Sequence, residues 1–270
     1  MSGSRDKPCA LITGASSGIG AEYAGQLARR GHDLILVARR RERLKELAAR
    51  LQSKAGAECE VIAVDLTDSA ALATIEARVA SHERLAVLVN NAGFGGYRPF
   101  VELEPSVADD LIAIHIRAVT RLTRAALPGM LRRGSGAIIN VASLLALSGT
   151  IPPDPLPYRA VYAGAKAFLV TFSQALAGEL RGTKIRIQVL LPGLVDTEYH
   201  AAVGRDPSKM PPMMKPADLV AASLAALDTG EITCIPALDE PALLERLGET
   251  QRAMLGSATK TTTAARYNPV

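Results

Sequence analysis

C-A-L-I-T-G-A-S-S-G-I-G, residues 9–20, decides the fold. Cys9–Thr13 is a short apolar and β-branched run of the kind that forms a buried strand. Three glycines spaced G-x-x-x-G-x-G follow it, and residues 18 to 30 then carry a helical pattern. A strand, a glycine turn and a helix open a βαβ unit, in which the free amides and positive dipole end of the helix face an anion. Gly14 would allow the tight turn, Gly18 would let backbone approach a diphosphate, and Gly20 would permit close packing of helix on strand. Ser16, Ser17 and Ile19 fill the rest of the loop and are expected to bound the same ligand. The spacing departs from the commoner G-x-G-x-x-G, and a glycine turn that binds nothing is the alternative.

Outward from this stretch, short β-rich runs alternate with helical patterns along the chain. Strands are expected at Cys9 to Thr13, Asp33 to Ala38, Cys59 to Val64, Ala86 to Val89, Ala137 to Val141, Ile185 to Leu191 and Ile232 to Ile235. Helices are expected near 18 to 30, 41 to 54, 69 to 81, 106 to 132, 160 to 180 and 216 to 228. Alternation of this kind predicts a doubly wound parallel sheet with helices on both faces. No linker or repeat divides the chain, so residues 1–270 are expected to form one domain, with its core at 7–235. Two segments break the rhythm: the proline-rich Leu144 to Pro157, and Leu194 to Lys215, which contains Pro207 and three methionines. The Ser- and Thr-rich residues 256–270 are expected to form a flexible tail.

Composition narrows the class. The 270 residues are 48% hydrophobic and 21% charged, with a net charge of +4. That small, dispersed excess of Lys and Arg does not argue for nucleic acid. Cys9, Cys59 and Cys234 lie in or beside expected strands without pairing or metal-ligand spacing, as small buried apolar residues of a reducing compartment would. No metal site is expected. Met1 to Pro8 is short and polar, and no apolar stretch is expected to reach membrane-spanning length. A cytoplasmic protein without membrane or nucleic acid partners is therefore the expectation.

In open α/β sheets ligands bind beyond the carboxyl ends of the strands. The unusual residues fall there: the glycine loop after the first strand, Arg39-Arg40 after the second, Asp65 after the third, Asn90-Asn91-Ala92-Gly93 after the fourth, Ser143 after the fifth and Pro192-Gly193 after the sixth. At the end of the second strand an acid would bond ribose hydroxyls, whereas an arginine suits a 2′-phosphate. Arg39 stands there, which favours NADP(H) over NAD(H); Arg40 and Arg41 are open to a plainer reading as the solvated start of a helix. Tyr162 and Lys166 are four apart on an expected helix, so they share a face at ~5–6 Å between Cβ atoms. A neighbouring ammonium would bring a phenol, ordinarily titrating near ~10, toward a useful acid–base range.

Together, T-G-x-x-x-G-x-G at Thr13–Gly20, N-N-A-G at Asn90–Gly93, Ser143, Y-x-x-x-K at 162–166 and P-G at 192–193 resemble the short-chain dehydrogenase/reductase family, from about Lys7 to Ile235. The resemblance implies a single Rossmann-type domain with a seven-stranded sheet in the order 3-2-1-4-5-6-7, and one hydride transfer between a nicotinamide and a carbonyl or secondary alcohol. It implies that Tyr162 exchanges the proton with the substrate oxygen, that Ser143 orients that oxygen, and that Lys166 holds the nicotinamide ribose and lowers the Tyr162 pKa. Asp65 and Leu66 would lie on the adenine side, Asn90, Asn91, Ala92 and Gly93 along the cofactor, and Pro192, Gly193, Val195 and Thr197 on the nicotinamide side. It further implies a homodimer or homotetramer paired through the helices near 106–132 and 160–180.

Two departures stand out. His115 occupies the position where the family usually has an Asn on the long helix; it is either a structural residue among isoleucines or a member of the proton relay. The 19 positions between Ser143 and Tyr162 exceed the family's usual spacing. The excess falls at Pro152–Pro157, either a rigid surface excursion or an added pocket wall. Met210, Met213 and Met214 suit an adaptable apolar lid over 194–215, and Phe94, Tyr97, Leu144, Leu145 and Leu147 would add apolar wall. A medium or bulky hydrophobic ketone is the expected substrate. The rival readings are an enzyme running mainly as an alcohol dehydrogenase, and a nucleotide-binding regulatory protein that lacks the chemistry.

Overall fold

A computed structural model describes residues 7–204, 206 and 209–267. The expectations for residues 1–6, Arg205, Pro207, Ser208 and residues 268–270 lie outside the described residues. Contacts divide the chain into two compact units, one ending at Pro236 and the other beginning at Ala237.

The first unit is a seven-stranded parallel sheet in the order β3-β2-β1-β4-β5-β6-β7, the order implied by the family resemblance. The strands are β1 (Cys9–Thr13), β2 (Asp33–Ala38), β3 (Cys59–Ala63), β4 (Leu85–Asn90), β5 (Gly136–Val141), β6 (Ile185–Leu190) and β7 (Thr233–Cys234). The helices between them are α1 (Gly18–Arg29), α2 (Arg41–Ala55), α3 (Ser69–Ala80), α4 (Pro105–Ile112), α5 (Ala118–Arg133), α6 (Ala160–Glu179), α7 (Tyr199–Ala202) and α8 (Pro216–Thr229).

Side chains of successive strand residues point to opposite faces, and here both faces are apolar. Ala10, Ile12, Leu34, Leu36, Val89 and Ile139 pack beneath α1, α2 and α8. Their sequence neighbours Cys9, Leu11, Ile35, Val37, Leu88 and Ile138 pack beneath α3 and α5. The continuous apolar runs in the sequence are the direct consequence. Turns are closed locally: Asp68 accepts the amide of Ala71 at 2.7 Å to cap α3, and Gly56 takes a left-handed conformation after α2.

Three expectations are corrected here. The helix expected over 106–132 is interrupted: α4 passes through a π-helical turn, Ala113–Arg117, before α5 begins. The wider turn brings His115 to the inside. At 20 residues, α6 is long and apolar enough to cross a membrane by length and composition, contrary to the expectation from sequence. It nonetheless buries Tyr162, Lys166, Leu169, Val170, Ser173 and Leu176 in the first unit, as a core helix does. Cys59 is only half-buried, although Cys9 and Cys234 are buried and all three thiols are free. The second unit contains α9 (Ala242–Leu255) and short 3₁₀ turns at Gly256–Thr259 and Ala265–Tyr267.

Candidate active site

Parallel strands carry all their carboxyl ends to one edge of the sheet, and the distinctive residues meet there. Gly14 has φ 67°, a region that L side chains rarely adopt, and a Cβ on it would lie 2.7 Å from Asn91 Nδ2. A Cβ on Gly20 would lie 2.4 Å from the Gly14 carbonyl oxygen, so the loop folds back on the amino end of α1 as closely as backbone allows. Asn91 braces this turn: its side-chain amide donates to the carbonyls of Thr13 and Gly14 at 3.0 and 3.3 Å. Thr13 Oγ1 in turn accepts the amides of Asn91 and Ala92 at 2.9 and 3.0 Å. Asn90 points the other way, donating to Thr123 and to Asn140, which continues to Ser173 inside the helix layer.

The two arginines after β2 diverge. Arg39 is exposed and pairs with Asp65 at 3.6 Å. Arg40 turns into the glycine loop and donates to Ser16 Oγ at 2.9 Å and Ser17 Oγ at 2.6 Å. It also pairs with Glu198, which Arg43 holds from the other side at 2.5 Å. Asp65 is engaged by Thr67 through both amide and hydroxyl. Burial pushes its carboxyl up, but the Thr67 bonds and the Arg39 charge outweigh that and hold it below the usual carboxylate value. Of the other residues expected near a cofactor, Leu66 and Val195 are buried in the apolar layers, Ile19 packs on α1's core face, Pro192 is buried and Gly193 is exposed.

Ser143 lies two residues beyond β5, and Tyr162 and Lys166 come from the first turns of α6. The Ser143 hydroxyl is close enough to the Tyr162 phenol to pull its pKa down. Lys166 Nζ lies 5.7 Å from the centre of the Tyr162 ring and donates to the Val141 carbonyl at 2.7 Å. The expected lowering of the Tyr162 pKa by Lys166 is not the dominant effect. Burial, reinforced by Tyr97, pushes the Tyr162 phenol up, against the opposing pull of the Tyr199 and Ser143 hydroxyls. The lysine itself yields: burial brings its pKa down to about 7.

Two further tyrosines crowd the same hydroxyl. Tyr97 stands edge-on to Tyr162 with ring centres 5.3 Å apart, and its hydroxyl is 2.8 Å from that of Tyr199. Tyr199 is also close enough to Tyr162 for each phenol to shift the other's pKa. His115 meets the Tyr162 ring edge-on at 5.5 Å. Its Nε2 bonds the Phe94 carbonyl at 2.9 Å, while Nδ1 is buried without a partner. Burial, reinforced by Lys166, holds its pKa well below that of free histidine, so the ring is neutral. Gly93 makes room for it, since a Cβ there would lie 2.2 Å from His115 Cε1.

Met214 ties together the two ends of the 194–215 segment, donating to Leu194 and accepting from Asp196 at 3.0 and 2.9 Å, and packs on the core; Met210 and Met213 are half-buried. The proline-rich excursion is fastened by Arg159, which is buried and donates to Ser148, Ile151 and Pro157 at 2.6 to 2.9 Å. Tyr158 is exposed. Sequence reading missed Tyr199, Glu198, Arg43 and Arg159. Arg159, Glu198 and Tyr199 lie at or beside the start of a helix that follows an irregular segment, and Arg43 is a polar residue in the first turn of α2, where nothing in the apolar pattern shows which way a side chain turns.

Comparison with known proteins agrees with this geometry. A family model described as short chain dehydrogenase matches residues 8–208. The very-long-chain 3-oxoacyl-CoA reductase of Rattus norvegicus is 36% identical over 193 residues, 70% of this chain and 60% of that protein. The chain thus spans less than two thirds of the length of the curated relatives it matches. A short-chain dehydrogenase from Sphingobium yanoikuyae in complex with NADPH superimposes with a TM-score of 0.91 at 37% identity, over 97% of this chain and 100% of that one. A bulky-bulky ketone specific alcohol dehydrogenase from Comamonas testosteroni does so with a TM-score of 0.87 at 33% identity, over 97% and 99%.

Proposed function

The chain belongs to the short-chain dehydrogenase family, and from that premise we propose that it moves a hydride between NADP(H) and a carbonyl or secondary alcohol, reducing bulky hydrophobic ketones. The observation that carries this reading is the meeting of Ser143, Tyr162 and Lys166 at the carboxyl edge of the sheet that also bears the glycine loop. A protein that only bound nucleotide would have no use for all three. The NADPH-bound Sphingobium enzyme and the ketone specificity named for the Comamonas enzyme support the finer terms.

The residues fit the cofactor. A turn that only glycine can make, at Gly14 and Gly18, precedes the amino end of α1, which suits a diphosphate. Ser16, Ser17, Ile19 and Gly20 would complete that cradle. Arg39 and Arg40 would hold the 2′-phosphate, Asp65 and Leu66 the adenine, Asn91, Ala92 and Gly93 the middle of the cleft, and Pro192, Gly193, Val195 and Thr197 the nicotinamide side. When bound, NADP(H) supplies the hydride. The chain's part is position and proton. The Tyr162 O–H bond breaks as its proton passes to the substrate oxygen, which the Ser143 hydroxyl orients by donating to it. Lys166 would bond the ribose. With a pKa of about 7 it also gives up a proton readily at neutral pH and so restores the phenol. His115, neutral and with a free Nδ1, takes the relay position as an acceptor for water or lysine.

The test follows the near-ultraviolet absorbance of NADPH and NADH with a panel of ketones and aldehydes, for wild type and Tyr162→Phe. Wild type should consume NADPH with apolar ketones, and the variant should lose at least about a hundredfold in rate. Equal rates with NADH would remove the 2′-phosphate assignment. Turnover of small hydrophilic sugars alone would remove the substrate class.

A further inference from the structure

Three consecutive residues of the substrate-side loop fasten to three different parts of the site. Thr197 lies against the glycine loop, its Cγ2 3.1 Å from where a Cβ on Gly18 would be. Glu198 is held by Arg40 and by Arg43. Tyr199 reaches Tyr97 and Tyr162. The donors around Glu198 matter most. Arg40 is among the groups assigned above to phosphate, and it already bonds Ser16 and Ser17.

Building on the NADP(H) reading, we propose that Glu198 is an internal anion that competes with the cofactor's phosphate for Arg40. Its displacement frees the segment that carries Tyr199 onto Tyr162, so binding of the phosphorylated cofactor clears the hydroxyl that must meet the substrate. A phosphate brings more charge and more acceptor oxygens than a carboxylate, so it wins these donors, but against opposition. The carboxylate is well seated: the Arg43 bond leads the contacts that hold its pKa down to about 2. It therefore stays charged throughout the range in which the enzyme would work. The arrangement predicts an enzyme that binds its cofactor less tightly than its arginines would allow.

The probe is 2′,5′-ADP, which carries the phosphates without the nicotinamide, titrated calorimetrically into wild type, Glu198→Gln, Arg40→Gln and the double variant. Glu198→Gln should tighten binding by about fivefold, the scale of one exposed ion pair. In the Arg40→Gln background the same change should have no effect, since the contested donor is gone. An equal gain in both backgrounds, or unchanged or weaker binding in Glu198→Gln, would overturn the proposal. A purely structural Glu198 would lower the melting temperature and weaken binding together. If wild type and every variant fail to bind 2′,5′-ADP, the NADP(H) reading falls first. Binding by wild type that Glu198→Gln leaves unaltered removes this inference alone.

Discussion

Lys166 sits in a closed layer, 4% exposed, with a single neutral acceptor, the Val141 carbonyl. Burial favours the uncharged amine, and the pKa falls from 10.5 to about 7. The folded value lies below the unfolded one, so between them the unfolded chain binds more protons and stability rises with pH. Below that window both states are charged, and the fold bears the full cost of a buried ammonium. Lys166→Met removes the group, so its melting-temperature gain over wild type should be largest near about pH 6.5 and shrink toward about pH 9. A gain that does not change with pH would show that burial does not govern this lysine. Gly93 offers a second test. An added methyl would collide with His115, so Gly93→Ala should cost about 1–3 kcal/mol of stability, measured by thermal denaturation. Gly149→Ala, where a Cβ meets nothing, should be near neutral. The motif residues were legible in the sequence because their types are rare in combination. Their protonation was not, because a pKa depends on burial that spacing alone does not give.

At the scale of elements, the strands and most helices could be read because sheet and helix impose periods of 2 and 3.6 on apolar residues. The π-helical turn could not: one wider turn within an unbroken apolar pattern leaves no mark in composition, yet it brings His115 to Tyr162. The excursion between Ser143 and Tyr162 was visible as an excess of prolines, but its anchor was not. Arg159 is a buried guanidinium bonded only to a serine hydroxyl and backbone carbonyls. Arg159→Met would leave these acceptors unsatisfied at about 1–3 kcal/mol in total. It should raise amide hydrogen exchange at Ser148 and Ile151, whose amides now close turns on Leu145 and Ser148, by at least about tenfold. Unchanged exchange would mean that the prolines alone fix the excursion.

For the molecule as a whole, the parallel sheet follows from runs apolar on both faces, and helices are tied to it by buried polar bridges that no sequence pattern announces. One joins Tyr23 of α1 to Ser223 of α8 at 2.5 Å, and Ser223 to Gln188 of β6 at 2.6 Å. What the sheet leaves outside also has consequences. On α4, Ile112 is 46% exposed, and on α6 the half-buried Phe168 and Phe172 stack with ring centres 5.6 Å apart. Both helices belong to the pair through which the family resemblance implies assembly. A stable pair needs about 1,200–2,000 Å² of buried surface, with apolar anchors near its centre. Phe172 also packs on the core, so replacing it would confuse assembly with folding. Ile112 avoids that ambiguity: a charge there is solvated in a lone subunit and buried only if copies meet. Wild type should therefore sediment as a dimer or tetramer, and Ile112→Glu as a smaller species with unchanged circular dichroism and melting behaviour at high dilution. A wild type that sediments as a monomer, or a variant that assembles as wild type does, would show that this face meets water.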